Sequence, residues 1–248
     1  MGNYNFIKPV LARDGLVGRR EELALLKESM YKKRMKNTIL VGEAGCGKTA
    51  ILEQFAYDMS HHFNIVELDI SMCVAGTSLR GQFEEKLTKF LSETAKNNSE
   101  SSKQTIVFID EIHTIYRAGD SEGAVDAGNI IKSYLSRGEI IIIGATTKEE
   151  YYNTIAKDRA LNRRLSPLFI KELDDKTNMS ILTAFNEGIL KPEIVDYIYA
   201  KSKELKGANP DKAIELLDRC MARQKYTGKY MTPQGVNSIL KYMKEGVI

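Results

Sequence analysis

Residues Gly42-Glu43-Ala44-Gly45-Cys46-Gly47-Lys48-Thr49 fit the pattern G-x-x-x-x-G-K-[ST] at every position. The apolar run Thr38-Ile39-Leu40-Val41 precedes them, and Ala50-Ile51-Leu52-Glu53-Gln54-Phe55-Ala56 follows with helical character. A strand, a glycine-rich turn and a helix in that order make a cradle for phosphate oxygens, because the glycines let backbone N–H groups close around them. Lys48 has the reach for β- and γ-phosphates, Thr49 offers a hydroxyl to Mg²⁺, and the helix N-terminus adds partial positive charge. Gly42 through Ala50 are therefore the candidate nucleotide contacts. A glycine-rich turn that binds nothing is the alternative, and the flanking strand and helix count against it.

A second group of candidates follows another apolar run. Ile106-Val107-Phe108-Ile109 leads straight into Asp110-Glu111, the signature of a buried strand delivering charge to its exposed end. Beside a phosphate loop, Asp110 suits Mg²⁺ and Glu111 suits the base that polarises an attacking water. Alone, the same string reads as a strand and an acidic turn. Ile140–Ile143 is followed by Gly144-Ala145-Thr146-Thr147. Thr147 can hydrogen-bond a γ-phosphate or the lytic water, or it can cap a helix, since Glu150 stands at capping-box spacing. Arg163-Arg164 is either a solvated surface pair or an arginine finger acting on a neighbour's nucleotide.

The elements that would position these groups alternate. Apolar β-type runs at 38–42, 64–70, 105–110, 139–144 and 167–170 are separated by helical patterns near 48–59, 80–96, 124–136 and 148–162. Another helical pattern spans Glu21–Tyr31. Such alternation predicts an α/β fold, a parallel sheet with helices on both faces, whose phosphate sites lie at the carboxyl ends of the strands. That places 42–49, Asp110-Glu111 and Thr146-Thr147 on one rim. Residues 1–15 read as a loosely held arm, and the polar segment Glu93–Lys103 as a loop. From about residue 174 the β-type runs stop and helical patterns follow at 176–187, 191–205, 210–224 and 232–244. Asn209-Pro210 and Thr232-Pro233 read as caps followed by proline. The expected domains are an arm over 1–15, a nucleotide-binding α/β domain over 16–173 and a small all-α lid over 174–248.

Composition bounds the rest. A net charge of +3 on 248 residues gives no footing for nucleic acid or an anionic membrane. The three cysteines (Cys46, Cys73 and Cys220) are isolated and lack metal-ligand spacing, which suits a reduced, cytoplasmic setting. No run reaches membrane-spanning length and no signal-peptide block opens the chain.

The motifs together resemble the AAA+ ATPases, specifically the first ATPase module of Clp-type unfoldases and disaggregases. The strings that carry the resemblance are Gly18-Arg19-Arg20-Glu21-Glu22, the phosphate loop, Val74–Glu85, Phe108–Thr114, Glu122–Asn129, Gly144–Thr147 and Asn162-Arg163-Arg164. They cover residue 16 to about 172, and Pro210–Ile214 extends the likeness more weakly into the lid. The resemblance implies a P-loop AAA+ core with a helical lid. It places Thr147 at the sensor-1 position, Arg163 and Arg164 at the trans-acting arginine pair, and Leu16, Val17 and Gly18 where adenine packs. Asp126 and Asn129 fall in a motif near the subunit boundary, and His113 where the family also carries histidine, with packing as the expected role. Hexameric rings follow because each arginine finger completes a neighbour's site. The sequence departs from the family at Leu79, where the pore loop has an aromatic residue. It departs again at Gly207-Ala208-Asn209, which lacks the lid arginine of other branches and leaves Lys212 as a weak substitute, and at a shortened link over Gly188-Ile189-Leu190.

The reading is a stand-alone ring ATPase that uses ATP and Mg²⁺ to remodel or translocate a protein partner, as a homo-oligomer with a protein client or adaptor. Two alternatives remain at this stage. One is an AAA+ ATPase acting on DNA in a mobile-element or phage context, which salt-dependent DNA binding would favour. The other is a nucleotide-dependent scaffold without turnover.

Overall fold

The computed structural model describes residues 4–75, 80–117 and 127–246. Two compact units are present: Met1–Gly42 with Lys48–Ile170, and Glu43–Gly47 with Lys171–Ile248.

In the first unit the chain runs β1 (Ile7–Pro9), α1 (Arg20–Met30), β2 (Thr38–Val41), α2 (Lys48–Asp58), β3 (Phe63–Leu68), α3 (Ile70–Ala75), α4 (Arg80–Glu100) and β4 (Gln104–Ile109). It continues α5 (Thr114–Arg117), α6 (Ala127–Arg137), β5 (Ile141–Thr146), α7 (Lys148–Asn153), α8 (Arg159–Asn162) and β6 (Ser166–Phe169). The described residues form a six-stranded sheet in the order β1-β3-β4-β5-β2-β6. Every pairing is parallel except β1 with β3. The predicted α/β architecture is the one found.

The central strands are apolar on both faces because helices cover both, as parallel sheets require. Every residue of β2 and β5 is buried. Alternate residues of β4, Val107 and Ile109, join one core cluster with Phe83, Leu87, Phe90 and Leu91 of α4 and Ile131 and Leu135 of α6. Each such side chain contributes about 1.5–3 kcal/mol through burial. The result is a rigid floor from which the strand ends project.

Three local expectations differ from the structure. The arm is anchored over its described part: Phe6 is buried, Tyr4 and Phe6 pack edge-on against Phe90, and β1 adds an antiparallel strand to β3. The segment expected to be a loop from Glu93 is helix as far as Glu100. Thr94 is buried there, and the Asn98 amide pairs with both the N–H and the C=O of Thr105, at 2.6 and 3.1 Å. The pattern over 148–162 is two short helices, because the Asp158 carboxylate caps a new one by accepting from the N–H groups of Ala160 and Leu161.

The second unit contains α9 (Asp175–Asn186), α10 (Pro192–Ser202), α11 (Asp211–Thr227) and α12 (Pro233–Glu245). Leu182, Ile198, Leu216, Leu217, Val236 and Ile239 form the centre of its core. Asp174 caps α9 by accepting from Thr177 N–H, and Thr232 caps α12 by accepting from Gly235 N–H, with Pro233 in the first turn. Asn209 is not a cap: α11 follows Pro210 with no side-chain cap, and Asn209 N–H instead donates to Glu172 at 3.0 Å. Among the described residues no helix is long and apolar enough to cross a membrane.

Candidate functional site

Three parallel strands end side by side. Val41 is in register with Thr146, and Ile109 with Gly144. The order β4-β5-β2 therefore puts Asp110 two strand spacings from Gly42, roughly 10 Å, with Thr146-Thr147 between them. Gly42 N–H donates to Thr146 C=O at 3.1 Å, which ties the start of the phosphate loop to the end of β5.

The loop itself has the backbone that its glycines were expected to supply. Gly45 and Gly47 adopt φ of +82° and +93°, a region open to glycine and strained for other residues. Cys46 N–H turns back to Glu43 C=O at 3.2 Å, and the Cys46 side chain is buried. Lys48 Nζ donates to Gly42 C=O at 2.8 Å. Lys48 also opens α2, whose first turn contains no acidic residue to offset the partial positive charge of the helix end. Thr49 and Ala50 are exposed in the same turn. In the second unit, Ala208 N–H donates to Ala44 C=O at 3.2 Å, and a β-carbon on Gly45 would come within 2.6 Å of Asp211 Cβ.

Asp110 and Glu111 are both exposed at the end of β4. Asp110 Oδ1 accepts from Glu111 N–H at 2.8 Å. Glu111 has φ of +45°, a left-handed conformation that a non-glycine residue holds only when its neighbours fix it. Ile112 N–H donates to Ala145 C=O at 3.0 Å, and Thr114 N–H returns to Glu111 C=O at 2.8 Å. His113 is buried and its Nδ1 shares a hydrogen bond with Thr146 Oγ1 at 3.0 Å. The resemblance implied a packing role for His113, but not its bond to Thr146 or the bond of Ile112 to Ala145, because these act across strands.

An exposed threonine hydroxyl and an exposed aspartate near a phosphate cradle fit Mg²⁺, which takes few protein ligands and completes its shell with phosphate oxygens and water. Among the described residues no group of three or more His, Cys, Asp or Glu could hold a metal ion.

Thr147 caps α7, its hydroxyl accepting from Glu150 N–H at 3.2 Å. A threonine hydroxyl has one donor and two acceptor positions. The cap uses one acceptor and leaves the donor, so the two roles weighed for Thr147 are compatible. Arg163 ends α8 and is exposed. Arg164 Nη1 donates to Ala160 C=O at 2.6 Å and lines a cavity of about 450 Å³ with Lys33, Arg34, Lys36 and Arg137. Neither arginine lies on the rim that carries Gly42, Asp110 and Thr147. Both stand beside the start of β6.

Leu16 is half-buried, and Val17 and Gly18 are exposed. Gln54 of α2 holds this segment, its Oε1 accepting from the N–H groups of Gly15 and Leu16 at 3.0 and 2.9 Å. That bond was not legible in the sequence, since Gln54 and Gly15 lie 39 residues apart. Asn129 is exposed on α6, whereas Leu79 and Asp126 lie outside the described residues.

Comparison with known proteins identifies the family. The family model "ATPase family associated with various cellular activities (AAA)" matches residues 38–173. An ATP-dependent Clp protease ATP-binding subunit ClpA homolog of Guillardia theta is 37% identical over 257 residues, covering 94% of this chain and 31% of that protein. A chaperone protein ClpB of Meiothermus ruber is 38% identical over 231 residues, covering 85% and 26%. In solved structures, a closed-state reconstruction of Hsp104 with ATPγS and casein superposes with a TM-score of 0.76 at 26% identity, over 93% of this chain and 43% of that one. The chain thus spans about a quarter to a third of the curated relatives it matches. With more than half its length matched by the family model, the chain belongs to the AAA family of ATPases, and its sequence is similar to that of the Clp-type members.

Proposed function

We propose that this protein hydrolyses ATP and couples the hydrolysis to mechanical work on a protein partner, as a ring in which adjacent copies complete each other's sites. The observation that carries this reading is the shared rim, where the phosphate loop, Asp110-Glu111 and Thr146-Thr147 end three neighbouring parallel strands.

The amides of Gly45 through Thr49 and the Lys48 ammonium bind the phosphates, and binding replaces the Lys48 contact to Gly42. Thr49 and Asp110 would hold Mg²⁺, which would supply charge neutralisation at the phosphates. Glu111 orients the attacking water and accepts its proton. Thr147 donates its hydroxyl hydrogen to the γ-phosphate while its oxygen keeps the cap. Leu16, Val17 and Gly18 pack the base, steadied by Gln54. Arg163 and Arg164 stabilise charge at the next copy's nucleotide, which requires an oligomer, by family likeness a hexamer. The Clp-type and Hsp104 likenesses support a protein as the object of the work.

The test is Glu111→Gln with saturating ATP, followed by sizing and recovery of bound proteins. The variant is expected to bind ATP, lose turnover by roughly 10²–10⁴-fold and accumulate as an assembly that retains its partner. A strictly monomeric species under those conditions contradicts the trans-arginine role.

A further inference from the structure

We propose that His113 is a positioning residue that, through Thr146, links occupancy of the phosphate loop to the placement of Glu111. This inference rests on the functional reading above and deepens it.

A continuous set of short contacts joins the two ends. Gly42 N–H donates to Thr146 C=O at 3.1 Å, Thr146 Oγ1 meets His113 Nδ1 at 3.0 Å, and His113 stands two residues beyond Glu111. All of it is in the first unit. Thr146 and His113 are 2% and 7% exposed, so each depends on the other for a partner that water cannot readily replace.

The geometry also explains why one tie is insufficient. Ile112 N–H bonds to Ala145 C=O at 3.0 Å, a backbone tie between the turn and β5 on one side of His113. Glu111 lies on one side of that tie with φ of +45°, a conformation that relaxes if the turn is free to rotate. His113 lies on the other side, and its bond to Thr146 removes the rotation. A shift of Gly42 when phosphate enters the loop reaches Thr146 first and the Glu111 turn next. A buried histidine that merely satisfies itself in the core would have no such dependence on the nucleotide.

The experiment compares wild type with His113→Ala, His113→Asn and Thr146→Val. Asparagine keeps a polar atom where Nδ1 stands, and valine keeps the shape of Thr146 without its hydroxyl, so at least one variant tests the link without opening the core. Each protein is titrated with a non-hydrolysable ATP analogue, hydrogen exchange is followed over residues 106–115, and ATP turnover is measured. In wild type and His113→Asn, the analogue is expected to slow exchange in that segment. In Thr146→Val and His113→Ala, the analogue still binds, with Kd changed only by the lost coupling, the protection is lost, and kcat falls roughly 10- to 100-fold, the cost of a misplaced catalytic group. Retention of kcat and of nucleotide-dependent protection in Thr146→Val overturns the proposal. Absence of turnover in wild type counts against the functional reading, while the exchange measurement still decides the link.

Discussion

A β-carbon on Gly144 would lie 2.7 Å from Ile112 Cδ1, 3.0 Å from Cγ2 and 3.2 Å from Cβ. Strand β5 therefore carries glycine where the turn after β4 crosses it. The turn presents Glu111, so the missing side chain of one strand sets the position of a carboxylate on another. Gly144→Ala forces Ile112 away and is expected to cost about 1–3 kcal/mol as overpacking. It should also lower kcat by roughly 10²-fold, with nucleotide affinity retained. Denaturant unfolding and steady-state kinetics measure the two effects separately.

Thr147 both caps α7 and retains a hydroxyl hydrogen, so different substitutions separate the two uses. Thr147→Ala is expected to lose the cap, about 1 kcal/mol, and turnover with it. Thr147→Asp keeps the cap but cannot donate, so stability holds while turnover is lost. Thr147→Ser retains both. Thermal unfolding alongside ATP turnover distinguishes the three, and normal turnover in Thr147→Asp contradicts the donor role.

Asp158 starts the short helix that ends at the arginine pair, and it also pairs with Lys132 at 2.6 Å. Burial pushes its carboxyl up, but the Lys132 bond and the N–H groups of Leu161 and Ala160 outweigh that and hold it below the usual carboxylate range. A carboxyl lowered in the folded state stabilises fully above its unfolded value, about 4. The contribution is lost as pH falls through the lower folded value. Urea midpoints should therefore drop between about pH 5 and pH 3 in wild type, and less in Asp158→Asn, which keeps the cap without the charge.

The rim was legible because buried parallel strands read as uninterrupted apolar runs and their exposed ends carry the chemistry. Thr38–Val41, Ile106–Ile109 and Ile140–Ile143 announced Gly42, Asp110 and Thr147 in that way. The bonds that hold the rim were not legible, because His113 with Thr146, Ile112 with Gly144 and Gln54 with Gly15 depend on strand order and register. The end of α4 was missed for a related reason. Residues 93–100 look like a loop by composition, yet Asn98 satisfies the backbone of Thr105 across the turn. The described part of the arm was missed because its partners, Phe90 and Leu68, are distant in sequence.

The most direct measurement of shared sites is complementation between two inactive variants. Lys48→Ala keeps Arg163 and Arg164 but cannot hold nucleotide, whereas the double variant Arg163→Ala with Arg164→Ala holds nucleotide but offers no finger. Each alone is expected to lack ATP turnover, and a mixture of the two to regain part of it in proportion to mixed neighbours. If the mixture stays silent while both variants assemble together, or if the double variant alone hydrolyses ATP at the wild-type rate, sites are not completed between copies.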